Sequence, residues 1–231
     1  MMSASGLVRA AAVAALIAGA ELDNHTLVLV IGLPKSGTIS LQRFFASADC
    51  GARAASHYTC GPKGSPTEYC GAAIRANLEA GVAPLLGLEA FDVHTELDYL
   101  GDGGGGGPGC FFPQVDALEA LVDGYPSATL VLNVRPVERW IASVSRFPQA
   151  AGGRVSFREA LVACEIAGLA RGVGSRDDEL RAFYEAHSAR VRAVAARRGA
   201  RLVEVDIESG AAAAQTLEVR DLVPRRFLRD T

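Results

Sequence analysis

Residues 27–40 read Leu27-Val28-Leu29-Val30-Ile31-Gly32-Leu33-Pro34-Lys35-Ser36-Gly37-Thr38-Ile39-Ser40. The unbroken apolar run Leu27–Ile31 has the pattern of a strand buried on both faces, as in a parallel sheet. A glycine-containing loop follows. Leu41, Phe44 and Phe45 then recur at i, i+3 and i+4, the stripe of a helix packed on that sheet. Strand, loop and helix in this order bring a row of main-chain N–H groups and a helix N-terminus to one point, which makes an anion nest. Lys35 adds a cation, and Ser36, Thr38 and Ser40 add hydroxyls. The loop from Pro34 through Lys35, Ser36, Gly37, Thr38 and Ile39 to Ser40 therefore suits a multiply charged, phosphate-like group.

The spacing separates this loop from the one that nucleoside triphosphatases use. In G-x-x-x-x-G-K-[ST], counted from Gly32, lysine would follow Gly37, but Thr38 stands there. Ile39 stands where the magnesium-holding hydroxyl would be. The lysine sits inside the loop instead. A magnesium-dependent kinase or NTPase is the disfavoured alternative, and no clear strand-end acid holds a metal, since Asp206 comes late in the chain.

Outward from this stretch, Ala128–Val134 is a second strong strand. Pro136 opens a helix at its favoured first position, with Val137, Trp140, Ile141 and Val144 as its core stripe. A short strand is expected near Ala54–Ser56 and another over Leu85–Phe91. Leu202–Asp206 forms the last strand. Helices are expected over Ala72–Ala80, Val115–Val122, Phe157–Ala170 and Asp177–Arg197. Strands alternating with helices imply an α/β three-layer sandwich around a mostly parallel sheet, like that of P-loop nucleotide-binding proteins. The glycine run Gly103–Gly107 reads as a surface loop.

The chain has 231 residues, 49% apolar and 21% charged, with a formal net charge of −3. This composition excludes wholesale disorder and argues against a nucleic-acid binder. Residues 21–231 read as one domain. Before them, Arg9, the apolar run Ala10–Ala20 and its small-residue end have the layout of a secretory signal, and an organellar transit peptide or a packed helix fits nearly as well. The expected localisation is the secretory pathway or Golgi lumen, with an organelle or the cytoplasm left open. Membrane association is expected only through that segment, because no run reaches the roughly 18–20 apolar residues of a span. Asn24-His25-Thr26 matches a glycosylation sequon, which supports a secretory route slightly. Of five cysteines, none forms a C-x-x-C pair, so zinc-site spacing is absent and no metal is expected. In an oxidising lumen Cys60–Cys70 would close a short loop, with the fifth cysteine unpaired or buried.

At Gly32–Thr38 the chain resembles the sulfotransferases. Their loop, G-x-P-K-[ST]-G-T at the end of the first strand, binds the 5′-phosphosulfate of 3′-phosphoadenosine 5′-phosphosulfate (PAPS). Ile39 departs from the hydroxyl residue that many members carry. A second resemblance lies in residues 128–144. It implies that Arg135, ending a strand, and Ser143, in the next helix, hold the 3′-phosphate, with Ser145 a weaker substitute for Ser143. Pro136, Arg139 and Ser143 share a helix face apart from the core stripe. Ser56-His57-Tyr58, Cys60, Cys70-Gly71, Phe91-Asp92 and Cys110–Gln114 are similar to a branch that acts on carbohydrates and small molecules. The resemblance spans Leu27 to Asp206.

It implies transfer of a sulfuryl group from PAPS to a hydroxyl or amine of a carbohydrate or small molecule, with no metal required. Lys35 would stabilise the leaving oxygen. His94 is the first choice of base, Asp92 the second and His57 the third. His187, on an apolar helix face, reads as a core histidine. The basic stretch Val223–Arg229 reads as a charged tail. A non-catalytic relative is the remaining alternative.

Overall fold

The computed structural model describes residues 27–46, 55–62, 65, 68–100, 109–148 and 155–208. The N-terminal apolar segment, the Asn24 sequon, Cys50, Lys63, the Gly103–Gly107 run and the basic stretch Val223–Arg229 lie outside the described residues. No helix among the described residues is long and apolar enough to cross a membrane.

Five strands form one all-parallel sheet in the order β2-β3-β1-β4-β5. These are β1 Val28–Val30, β2 Ala55–Ser56, β3 Val93–His94, β4 Thr129–Val134 and β5 Arg201–Asp206. The helices are α1 Thr38–Phe45, α2 Cys70–Glu79, α3 Pro113–Asp116, α4 Leu118–Gly124, α5 Val137–Arg146, α6 Phe157–Ala163 and α7 Asp177–Arg198. The α/β sandwich expected from the sequence is the fold.

Alternation along the strands sorts the core onto two faces. Val28, Val30, Val93, Val131, Val203 and Val205 face Leu41 and Phe45 of α1. Leu29, Ile31, Leu130 and Leu132 face Ile74 of α2, Leu118 and Leu121 of α4, and Val191 and Val194 of α7. A third apolar cluster joins Leu33 of the first loop to Trp140, Ile141 and Val144 of α5, Phe157 and Leu161 of α6, and Leu180 and Phe183 of α7.

Two expectations need correction, and a third is refined. Leu85–Phe91 is not a strand. Its N–H groups bond back three residues, from Leu86 to Ala83, Leu88 to Leu85 and Phe91 to Leu88, and Gly87 turns the chain at φ 82°. Leu85 and Leu88 are buried because they plug the α2/α4 side of the core; strand pairing resumes only at Val93. The helix over Phe157–Ala170 ends at Ala163, where Cys164 turns to extended backbone and is bonded to Cys110. Gly168 and Gly172 follow with positive φ. The helix over Val115–Val122 is divided at Ala117 into α3 and α4. The Asp116 carboxylate accepts from Phe112 N–H and Ala167 N–H, both at 2.7 Å, and so pins the break to two loops.

The long helix α7 has the ends that its sequence predicts. Asp177, Asp178 and Glu179 sit in the first turn, Arg197 and Arg198 in the last, and Gly199 closes it in left-handed conformation, φ 63°. Cys60–Cys70 are bonded, as expected for an oxidising compartment. Cys110–Cys164 form a second disulfide, which the spacing did not suggest.

Candidate functional site

The chain enters the sheet at its centre, runs out to β2, returns through β3 and crosses to β4 and β5 on the other side of β1. β1 therefore lies at the switch point, where open parallel sheets form a crevice beyond the carboxyl ends of their strands. Five segments meet at that edge: the 32–37 loop after β1, His57 after β2, Thr95–Asp98 after β3, Arg135 after β4 and Ile207–Glu208 after β5.

The loop is held in shape by side chains from β4 and α5. The Gly32 N–H donates to Asn133 Oδ1 at 3.1 Å, and Asn133 Nδ2 donates to the Ser36 carbonyl at 2.7 Å. Both ends of the loop thus hang on one buried amide. A Cβ at position 32 would lie 2.2 Å from Asn133 Oδ1, so only glycine admits this approach. The Trp140 indole N–H donates to the Pro34 carbonyl at 2.8 Å, and Arg135 Nη1 donates to the Lys35 carbonyl at 3.0 Å. With its carbonyls turned back onto the protein, the loop holds Lys35 in left-handed conformation, φ 67°. For a side-chain-bearing residue this costs about 1–2 kcal/mol.

Of the seven loop residues singled out in the sequence, Pro34, Ser36 and Thr38 are buried, Lys35 and Gly37 are half-buried, and Ile39 and Ser40 are exposed on the first turn of α1. The Lys35 ammonium lies over the Phe147 ring, 3.0 Å from its centroid. Burial lowers the Lys35 pKa, with Arg135 acting in the same direction, while the charges of Glu96 and Asp98 oppose it.

Arg135 is half-buried. Its main-chain N–H donates to Tyr184 Oη at 3.0 Å, and the Tyr184 hydroxyl donates back to the Arg135 carbonyl at 3.1 Å. Its guanidinium pairs with Glu208. Ser143 is half-buried farther along α5. Ser145 Oγ accepts from Arg158 Nη1 at 3.2 Å.

Beside Lys35 lies an acidic group that the sequence reading did not single out. Glu96 Oε2 accepts from the Thr38 hydroxyl at 2.8 Å and lies 3.0 Å from His57 Nε2. Asp98 is 1% exposed. Burial, and then the Glu96 charge, push its pKa well above the usual carboxylate range, against the pull of a backbone hydrogen bond, Lys35 and Gln114. Tyr58, Tyr69 and Tyr99 stack in a row beside it, with ring centroids 4.8 and 5.3 Å apart. In the sequence Glu96 and Asp98 show only as alternating acids just past β3.

The structure does not bring His94 and Asp92 to this group. His94 is 1% exposed, with Nδ1 2.9 Å from Ser56 Oγ and 3.9 Å from Cys60 Sγ. Burial pushes its pKa down to about 4, against the charge of Asp92. It sits on the α2 side of the sheet because Val93, its neighbour in β3, faces α1. The Asp92 carbonyl accepts from Val28 N–H at 2.9 Å, at the amino end of the sheet, away from the loop. His57, by contrast, is in the group. His187 is a core residue whose Nε2 bonds the Ile31 carbonyl at 2.8 Å.

Cys60, Cys70 and His94 are the one group of three close metal-capable side chains among the described residues, and their two sulfurs are bonded to each other. No curated protein and no solved structure matches the chain. The sulfotransferase domain family matches residues 27–213, across the whole sheet and every segment that meets at its carboxyl edge. This chain belongs to the sulfotransferase family.

Proposed function

We propose that the protein transfers a sulfuryl group from PAPS to a hydroxyl or amine of a carbohydrate or small molecule. The observation that carries this reading is the strained Lys35 loop, whose ends hang on Asn133 and whose centre is tied to Arg135. One residue pair thus links the nest for a phosphosulfate to a guanidinium suited to the 3′-phosphate. The main-chain N–H groups of Lys35 and of Gly37 to Ser40, with the Ser40 hydroxyl, hold the 5′ end, while the Ser36 N–H is given to the Leu33 carbonyl and the Thr38 hydroxyl to Glu96. Arg135 and Ser143 hold the other end.

In the transfer, the acceptor oxygen or nitrogen forms a bond to sulfur as the bond from sulfur to the 5′-phosphate oxygen breaks. Charge grows on that leaving oxygen, where Lys35 supplies a fixed positive charge. The acceptor proton needs a base. Glu96 is the group assigned to it, because it borders Lys35 and is oriented by Thr38 and His57. Asp98, whose pKa burial and the Glu96 charge push upward, lies beside it. His94 and Asp92 are not assigned this step, since one is buried on the far side of β3 and the other lies at the opposite end of the sheet. Two disulfides favour an oxidising compartment such as the secretory lumen.

The test is a screen of sugar, alcohol and amine acceptors with sulfur-labelled PAPS in the presence of a metal chelator. Labelled product from the wild type, lost in Lys35→Ala, supports the reading. Equal turnover in the variant removes Lys35 from the mechanism.

A further inference from the structure

The stretch that follows β5 lies over the mouth of the Lys35 loop. The Ile207 N–H donates to the Val134 carbonyl at 3.1 Å, which continues the β4–β5 register past Asp206. The Ile207 side chain fills the space above Gly37, where a Cβ would meet Ile207 Cδ1 at 2.4 Å. The Glu208 N–H is fixed by Asp206 Oδ1 at 3.0 Å. These contacts deliver the Glu208 carboxylate between two guanidiniums: it pairs with Arg135 Nη2 and lies 3.7 Å from Arg139 Nε. Arg135 is otherwise anchored by the Lys35 carbonyl, and its buried Nε has no hydrogen-bond partner among the described residues. The guanidinium is thus aimed and only partly used.

We infer that the Glu208 carboxylate is a resident competitor for the nucleotide's 3′-phosphate, one that occupies Arg135 in the empty site and sets the affinity for nucleotide. This rests on the assignment of Arg135 to that phosphate. A carboxylate and a phosphate oxygen compete for the same Arg135 donors, and Arg139 beside them can keep the carboxylate once the phosphate takes Arg135. The carboxylate can leave at low cost, because the Glu208 side chain is 28% exposed and water can take it over. Displacement is then a population term: if Glu208 holds Arg135 for nine-tenths of the time, the apparent Kd rises about tenfold. The same term speeds release of the spent nucleotide, since the carboxylate returns as the phosphate leaves. The residue tunes the site without touching the reacting atoms.

The test is calorimetric titration of the full chain with 3′-phosphoadenosine 5′-phosphate, comparing wild type, Glu208→Gln, Arg135→Ala and the double variant. Far-UV spectra and melting curves check folding, and Glu208→Ala is a second truncation. The expected result is binding about three- to tenfold tighter in both Glu208 variants, with the gain abolished in the Arg135→Ala background. Equal or weaker binding in the Glu208 variants, while Arg135→Ala still weakens the wild type, overturns the competitor role and leaves the Arg135 assignment standing. Wild-type binding that Arg135→Ala does not change, or no binding at all, removes the assignment and the inference with it.

Discussion

At the scale of single residues, Lys35 combines two costs that an idle lysine would not carry. It holds left-handed backbone, and its ammonium is partly desolvated. The two can be separated by substitution. Lys35→Gly and Lys35→Ala both lack the ammonium, and turnover is expected to fall by about 10²–10³-fold in each. Only glycine relieves the backbone. Lys35→Gly is therefore expected to be more stable than Lys35→Ala by roughly 0.5–1 kcal/mol in urea unfolding, after the glycine's larger unfolded-state entropy is subtracted. The opposite order would show that the loop does not hold φ near 67°. Glu96→Gln is expected to lower kcat by about 10²-fold or more while leaving the affinity for 3′-phosphoadenosine 5′-phosphate unchanged. A loss confined to nucleotide binding would deny it the proton. Lys35 was legible because its place in a glycine loop is unusual. Glu96 was not, because its role depends on Thr38 and His57, which approach from two other segments and leave no local pattern.

At the scale of elements, periodicity served where an element has one buried stripe or two. β1 is apolar throughout and β4 is so apart from Thr129 and Asn133, both strands lie inside the sheet, and α7 carries Leu180, Phe183, His187, Val191 and Val194 on its inner face. It failed at Leu85–Phe91, where apolar residues spaced by three plug the core from turns. The true strand, Val93–His94, is too short for any period to register. The join between elements is carried by Asn133, a polar residue inside a buried strand. Asn133→Ala would leave the Gly32 N–H and the Ser36 carbonyl without their partner. The expected cost is about 2–4 kcal/mol in chemical denaturation, from two buried backbone groups, together with weaker nucleotide binding. A loss under about 0.5 kcal/mol would mean that the loop keeps its shape unaided.

At the scale of the whole molecule, stability should depend on pH through its buried groups. His94 and His187 both have pKa values pushed down to about 4 by burial. Between their unfolded value near 6.5 and pH 4 the unfolded chain binds protons that the folded one refuses, so each histidine lowers stability as pH falls through that window. Asp98 acts the other way. Its raised pKa makes the folded chain hold a proton that the unfolded one has lost, which favours folding at the lower pH. Two groups against one leave the net sign with the histidines. Wild type is expected to unfold at lower urea concentration at pH 5 than at pH 7, and a higher midpoint at pH 5 would contradict this. The disulfides should also differ. Cys110–Cys164 spans a sequence separation of 54 and Cys60–Cys70 one of 10. On loop-closure entropy, serine at the first pair should cost about 4 kcal/mol and at the second about 2.7 kcal/mol. The alternation of strands with helices pointed to the α/β class. It could not give the Cys110–Cys164 bond, whose partners are brought together by the early end of α6.

The proposed function requires that Lys35, its loop and Arg135 recognise a 3′-phosphorylated adenosine nucleotide. The most direct measurement is the melting temperature with excess 3′-phosphoadenosine 5′-phosphate and chelator, set beside ATP with magnesium. Ligand at about 100 times its Kd contributes about 2.7 kcal/mol to a protein that binds it only when folded. The expected result is a rise of several degrees with the first ligand and none with the second, and loss of the rise in Arg135→Ala. Stabilisation by ATP and magnesium alone would contradict it.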